Sequence, residues 1–231
     1  ASQDSASSDE RTVYGNPTEV FNAGLSGLCV ALIVNERPMT SIPLNIHDED
    51  FIRGPAPMTK AEIRTLSIAK LELSDDSVIY DVGAGTGSVS IEMALMAVNG
   101  EVFAIEKEKE TISLINQNKK KFCTPNLTIV EGLAPDALAD LPIPTHAFIG
   151  GSSGNMEEIL VALFNKNPKA RIVVNSVTLE TVSETLLCIK KLGLDEEETI
   201  CINSSRSRST GNYHLMTANN PIYITVIRGK I

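Results

Sequence analysis

Three glycines at alternate positions behind an acidic strand end, in Asp81-Val82-Gly83-Ala84-Gly85-Thr86-Gly87-Ser88, leave this chain few folds to choose from. Val78-Ile79-Tyr80-Asp81-Val82 reads as a buried strand, and the stretch from Ser88 to about Ala97 as the helix that follows it. Glycines in such a turn let the backbone pass close to a ligand, and the amides opening the helix face a negative or polar group. The spacing is G-x-G-x-G after an acid, which differs from the G-x-G-x-x-G that seats a dinucleotide pyrophosphate.

Downstream, strand and helix alternate. Val102-Phe103-Ala104-Ile105-Glu106 is a second strand, followed by a helix over 107–122; further strands are expected at 127–130, 147–149 and 171–175, and helices at 156–165 and 179–192. Residues 199–203 and 223–227 are strand-like, joined by a polar loop with no helical period, and should pair antiparallel at one edge of the sheet. Ahead of the first repeat, Thr59-Lys60-Ala61-Glu62 has capping-box spacing, which predicts a helix from Lys60 to about Lys70 with Thr59 as its N-cap. Leu28 to Val34 reads as a short strand outside the repeat, and the polar start from Ala1 to Glu10 as a disordered tail or a cut end.

At 231 residues the chain has room for one such domain and an extension, hence for one active site. Its net charge of -9 argues against a broad nucleic-acid-binding face and favours a small-molecule substrate. No apolar run is long enough to cross a bilayer. Cys29, Cys123, Cys188 and Cys201 form no C-x-x-C pair and His47, His146 and His214 lie far apart, so neither a metal site nor a disulfide framework is expected. Scattered thiols of this kind suit the cytoplasm.

S-adenosylmethionine suits the glycine loop better than a dinucleotide does, because it has no pyrophosphate and needs an amide for its carboxylate and an acceptor near its ammonium. Gly83, Gly85 and Gly87 allow the approach, Asp81 is the candidate acceptor, directly or through water, and Glu106 at the next strand end is placed to accept from both ribose hydroxyls. After Gly132, Leu133 and Ala134 can pack on the adenine edge; Thr86 and Thr59 complete the expected cofactor-binding set. The predicted fold is therefore α/β: a class I S-adenosylmethionine-dependent methyltransferase, Rossmann-like, with a mostly parallel sheet and an antiparallel edge strand. A short β-containing extension over 1–45 should precede the methyltransferase domain at 46–231.

A rival motif is Gly150-Gly151-Ser152-Ser153-Gly154, which matches the G-x-S-x-G nucleophile elbow of α/β-hydrolases and lies between a strand and a helix, with Asp195 and His214 downstream in the required order. A serine hydrolase leaves the Asp81 loop and Glu106 without a purpose, however. The plainer reading is a glycine turn at the mouth of the cofactor crevice.

Taken together, Pro57-Met58-Thr59-Lys60-Ala61-Glu62-Ile63-Arg64, the Asp81 loop, Ala104-Ile105-Glu106, Ala134-Pro135, Phe148-Ile149-Gly150-Gly151-Ser152, Val174-Asn175-Ser176-Val177-Thr178-Leu179-Glu180 and Asn220-Pro221 resemble the decarboxylating precorrin-6Y C5,15-methyltransferases of cobalamin biosynthesis, in their carbon-15-methylating part. Thr145-His146 departs from the Pro-Asp of that family's pattern, so no role of that acid carries over. The resemblance implies methylation of a precorrin-6Y/6B type tetrapyrrole at carbon 15 with loss of the ring C acetate carboxyl, by a homotetramer. Residues before Ile46, through Glu10-Arg11, Gly15 and the strand from Leu28, resemble the end of the companion tetrapyrrole methylase, which implies that the chain is the later part of a fusion.

A polycarboxylate substrate calls for converging cations. Lys60 and Arg64, one helical turn apart, and Arg206 and Arg208 in the late polar loop are the candidates, with Gly151 and Asn175 at strand ends as further substrate contacts. Attack by an electron-rich carbon on an activated methyl needs no strong general base, and no residue stands out as a proton donor, so no catalytic side chain is assigned. A methyltransferase for another small molecule would share the cofactor residues. A cofactor-binding scaffold would share them without turnover.

Overall fold

A computed structural model describes residues 2–3, 11–27, 29–34 and 45–229. The chain divides into two compact units, Ala1–Ser41 and Ile42–Ile231. In the first, β1 (Ser2–Gln3) pairs antiparallel with β2 (Arg11–Thr12) and β3 (Cys29–Val30), and a single helical turn and a half, α1 (Pro17–Asn22), joins the latter two. Asn16 and Glu19 form a reciprocal capping box around Pro17, which has no amide to satisfy. The strand expected over 28–34 is confined to Cys29–Val30; Leu32, Ile33 and Val34 are exposed, and Leu28 lies outside the described residues. Part of the expected tail is the strand Ser2–Gln3, while Ala1 and residues 4–10, Glu10 among them, also lie outside.

The second unit runs α2 (Ala61–Leu71), β4 (Val78–Val82), α3 (Ser88–Met96), β5 (Glu101–Glu106), α4 (Lys109–Lys121), β6 (Leu127–Glu131), β7 (His146–Ile149), α5 (Met156–Lys166), β8 (Arg171–Ser176), α6 (Leu179–Leu192), β9 (Asp195–Ile202), β10 (Ser205–Thr210), β11 (Tyr213–Ala218) and β12 (Ile222–Arg228). Seven strands form one sheet in the order β6-β5-β4-β7-β8-β12-β9; the first five are parallel, and β12 runs antiparallel to both its neighbours. The mostly parallel α/β sheet expected from the alternating pattern is the one observed, with the antiparallel pairing at the β9 edge.

Alternate residues of β4 serve opposite faces. Ile79 joins the core made by Ile63 and Ile68 of α2, Val89 and Ile91 of α3 and Ile115 of α4, while Tyr80 and Val82 join Ile159 and Leu163 of α5 and Ile189 of α6. Burial on both faces is why the parallel strands read as nearly unbroken apolar runs. The same sheet order makes the chain go one way from β4 to β5 and β6, and the other way to β7 and β8. Between the carboxyl ends of β4 and β7 lies the switch point where open α/β sheets carry ligands.

The start of α2 differs from expectation. Lys60 is its N-cap residue, with no side-chain bond, and the Ala61 amide donates instead to Asp48 Oδ1 at 3.0 Å, from 13 residues upstream. Thr59 therefore does not cap, and Glu62 turns outward to Arg206. The polar loop after β9 also has structure: β10 and β11 pair residue for residue from Ser205↔Ala218 to Thr210↔Tyr213, closed by Gly211-Asn212 with Gly211 at φ 61°.

Candidate active site

A crevice of about 1070 Å³ opens at the switch point, lined by the loops after β4, β5, β6 and β7 and by the chain leading into α2. Backbone bonds stitch these loops together. The Gly83 and Ala84 amides both donate to Ile105 O at 3.1 Å, the Gly132 amide to Glu106 O at 2.9 Å, and the Gly150 and Gly151 amides to Val82 O at 3.0 and 3.3 Å. Four strand ends thus form one floor.

Gly83 and Gly85, which line the crevice, and Gly87, which caps α3 behind it, have φ of 72°, 56° and 75°, a region that side chains avoid. A Cβ on Gly83 would lie 2.7 Å from Gly151 O, and one on Gly87 would lie 2.9 Å from the Ile115 side chain. The Glu106 carboxylate closes the floor: Oε2 accepts from the Gly85 amide at 2.9 Å, and Oε1 from the Lys107 and Glu108 amides at 2.8 and 3.0 Å. Three amides hold this acid in one orientation at the crevice wall and leave one lone pair, on Oε2, for a ligand hydroxyl.

Thr59, Thr86, Leu133, Ala134, Gly151 and Asn175 all line the same crevice, so the structure brings most of the expected cofactor and substrate residues together. Leu133 is 44% exposed at the lip, whereas Ala134 is buried and its carbonyl is held by Asn155 Nδ2 at 3.1 Å. Ser67 Oγ donates to Ile63 O at 2.8 Å, so its single proton is used and it accepts from Asn175 Nδ2 at 2.9 Å. Asn175 Oδ1 lies 3.0 Å from the same hydroxyl, so both ends of the amide sit against Ser67 at the crevice wall.

Asp81 does not line the crevice, so of its two expected routes to a ligand the one through water is left. It is fully buried behind the wall formed by Val82 and Gly83, with Oδ2 bonded to Ser90 and Oδ1 without a hydrogen-bond partner among the described residues. Burial pushes its carboxyl up to about 7, against the Ser90 bond and with the Glu106 charge adding. Between the ordinary carboxylate range and that value the folded chain holds a proton that the unfolded chain has released, so this group destabilises the fold increasingly as pH rises to about 7 and by a constant amount above. The stability gap between Asp81→Asn and the parent, measured by urea unfolding without ligand, should be smallest near about pH 4 and grow in favour of the variant toward neutrality. A gap independent of pH would count against a buried, proton-binding carboxylate.

The cations divide. Arg64, expected to reach the substrate, is fully buried: Nε donates to Glu92 at 2.6 Å, Nη1 to Asp48 at 3.3 Å and to Thr59 O at 2.7 Å, Nη2 to Ile46 O, and the guanidinium lies 4.8 Å over the Phe51 ring. It is a structural rivet under the crevice rim and cannot meet a ligand. Lys60 lines the crevice, 3.7 Å from Asp48. Arg206 binds both oxygens of Glu62 and Asp48 Oδ2, and its guanidinium holds Glu62 below the usual carboxylate range. Arg208 is exposed on the hairpin. Asp48 and Glu92, which organise this cluster, were not expected; the acidic run Asp48-Glu49-Asp50 before a basic helix start was the available signal.

The elbow does not assemble. Ser152 Oγ accepts only weakly from the Gly154 amide at 3.4 Å, and the strained residue is Ser153, at φ 52°. His214 is exposed on β11, paired with Ser209, while Asp195 opens β9 opposite Arg228. His146 stands at the start of β7, the end remote from the crevice, where burial lowers its pKa. Among the described residues no three His, Cys, Asp or Glu gather as a metal site, and no helix is long and apolar enough to cross a membrane.

Comparison with known proteins gives a consistent result. The precorrin methyltransferase domain family matches residues 50–228. A probable cobalt-precorrin-6B C(15)-methyltransferase (decarboxylating) from Pyrobaculum calidifontis is 40% identical over 182 residues, covering 78% of this chain and 93% of that protein. The crystal structure of a precorrin-6Y C5,15-methyltransferase from Geobacter metallireducens superposes with a TM-score of 0.76 at 37% identity, over 80% of this chain and 98% of its own. That of a precorrin-8w decarboxylase from Methanobacterium thermoautotrophicum gives 0.74 at 34% identity, over 80% and 100%.

Proposed function

The chain belongs to the precorrin methyltransferase family, and on that premise we propose that its crevice methylates carbon 15 of a precorrin-6B type tetrapyrrole and releases the ring C acetate carboxyl as carbon dioxide. The methyl donor is S-adenosylmethionine, whose sulfonium supplies an activated methyl group when bound. The observation that carries the reading is the pairing of a backbone-wide glycine slot with an oriented acid, Gly83 against Gly151 on one side and Glu106 on the other.

The residues fit such a cofactor. Gly83 and Gly85 let main-chain amides approach a carboxylate, Glu106 presents a fixed acceptor at the ribose position, and Asp81, when ionised, has in Oδ1 an unpaired acceptor behind the wall that a water can connect to an ammonium. Leu133 and Ala134 offer an apolar edge for the adenine. The protein's further tasks are to hold the macrocycle against the donor and to exclude water; Asn175, held by Ser67, and Lys60 at the rim are the polar groups placed for the first.

The test is incubation of the chain with S-adenosylmethionine and either precorrin-6B or its cobalt complex, following gain of one methyl and release of carbon dioxide. In calorimetric titration with S-adenosylhomocysteine, Glu106→Ala should weaken binding by about tenfold or more, the size of a lost charge-assisted bond, and Ser152→Ala should leave it unchanged. Equal loss in both variants would point to a general disturbance of the floor. Assembly as a homotetramer belongs to the same reading, supported by the exposed Leu179, Leu186 and Leu187 of α6, as do a cytoplasmic setting and an upstream tetrapyrrole methylase domain preceding the domain at 46–231.

A further inference from the structure

The β10–β11 hairpin pairs Arg206 with Thr217, Arg208 with Leu215 and Thr210 with Tyr213. Paired residues two apart along each strand share a face, so one side of the hairpin carries Arg206, Arg208, Leu215 and Tyr213, and the other carries Ser207, Met216, Ser209 and His214. Arg206 fixes which way the first side looks, because its guanidinium is seated on Glu62 at 3.0 and 2.7 Å and on Asp48 at 3.1 Å. Just before Glu62, Thr59 and Lys60 line the crevice, and so do Ser204 and Asn219 at the hairpin root, which are bonded to each other at 2.9 and 3.0 Å. The Arg206 side is therefore the one turned toward the start of α2, beside the crevice; Ser204 and Asn219 at the root line it, and residues 205–218 stand beyond that lining.

Beyond that anchor the face presents a cation beside apolar and aromatic surface. Arg208 takes part in no ion pair among the described residues, and Tyr213 and Leu215 are 76% and 56% exposed. In a chain of net charge -9, the stretch from Ser204 to Asn220 contains no Asp or Glu. A two-stranded hairpin has little stability by itself in water, so its outer half gains order from whatever occupies that face.

Resting on the methyltransferase reading above, we propose that this face is the outer wall of the substrate site and takes a flat, largely apolar polyanion. Arg208 receives a peripheral carboxylate, Tyr213 and Leu215 cover the ring system, and Arg206 is a positioning residue that holds the wall to α2. The two arginines thus do different work, one spent on the protein and one free for the ligand.

The test compares the full chain with Arg208→Glu, Arg208→Lys and Tyr213→Ala. Five quantities are read: KM and kcat for cobalt-precorrin-6B, S-adenosylhomocysteine affinity, quenching of uroporphyrin III fluorescence, and mass by light scattering. Arg208→Glu should raise KM about tenfold or more while kcat and S-adenosylhomocysteine affinity stay within about twofold and the mass is unchanged. Arg208→Lys should recover part of the loss. An unchanged KM in Arg208→Glu overturns the proposal, and so does a KM that rises only as the assembly falls apart, which would give the face to a second copy of the chain. Should the parent not turn over cobalt-precorrin-6B, the proposed reaction fails on its own; uroporphyrin III binding that weakens in Arg208→Glu then still supports the wall, and binding that is absent or indifferent to the substitution removes it.

Discussion

Arg64→Ala should cost about 3–5 kcal/mol of folding free energy, because it deletes one side of a buried ionic cluster and leaves the other side charged and dry. Glu92 is 3% exposed and Asp48 1%; without the guanidinium, Glu92 retains, among the described residues, bonds from main-chain amides such as that of Ile46, and the Phe51 ring loses its cation. Burial already raises the Glu92 carboxyl, so the variant's remedy is to take up a proton there. For a chain of this size the loss corresponds to a melting temperature lower by about 6–20 °C. Arg64→Met combined with Glu92→Leu removes both charges and should recover much of the difference, since Asp48 keeps Lys60 and Arg206 as partners. Thermal melts of the single and double variants check this. A single-variant loss below about 1 kcal/mol would mean that water reaches the cluster.

That cluster also marks where the sequence stops being legible. The strands β4 to β8 lie within a residue or two of their expected positions, because burial on both faces writes itself as apolar runs, and the loops between them carry the glycines and the acid that identify the crevice. Helical spacing correctly puts Lys60 and Arg64 near one another but says nothing of depth. Depth depends on Asp48 and Glu92, which come from 16 residues before Arg64 and 28 after it. The same long-range partner displaced the expected capping box at Thr59. Asp81 was assigned to the ligand, directly or through water, by its place in the loop; alternation in β4 turns it inward against Ser90, which removes the direct contact and not the one through water. The hairpin was missed for a different reason. Its strands have no core face and so no apolar alternation, yet Ser-Arg-Ser-Arg-Ser and the Gly211-Asn212 pair are a period-two pattern ending in a turn signal.

Gly83→Ala should lower S-adenosylhomocysteine affinity by about a hundredfold or more, the scale on which small displacements of a positioned site act. Two effects combine. At φ 72° an L-residue costs about 1–2 kcal/mol whatever surrounds it. The new Cβ would also lie 2.7, 3.0 and 3.1 Å from the O, N and Cα of Gly151, all main-chain atoms that cannot rotate away. Gly151 itself is tied by its amide to Val82 O, so it can retreat only by breaking the bond that joins the β4 and β7 ends across the switch point. Gly154→Ala separates the two effects: its φ of 86° carries the same conformational penalty, but a Cβ there meets nothing within 4 Å and the residue lies outside the crevice lining. That variant should lose some stability and keep its affinity. If the two alanines weaken binding alike, backbone strain in the loops governs the site; if only Gly83→Ala does, the close approach of two glycine backbones is what shapes the floor on which the donor is held.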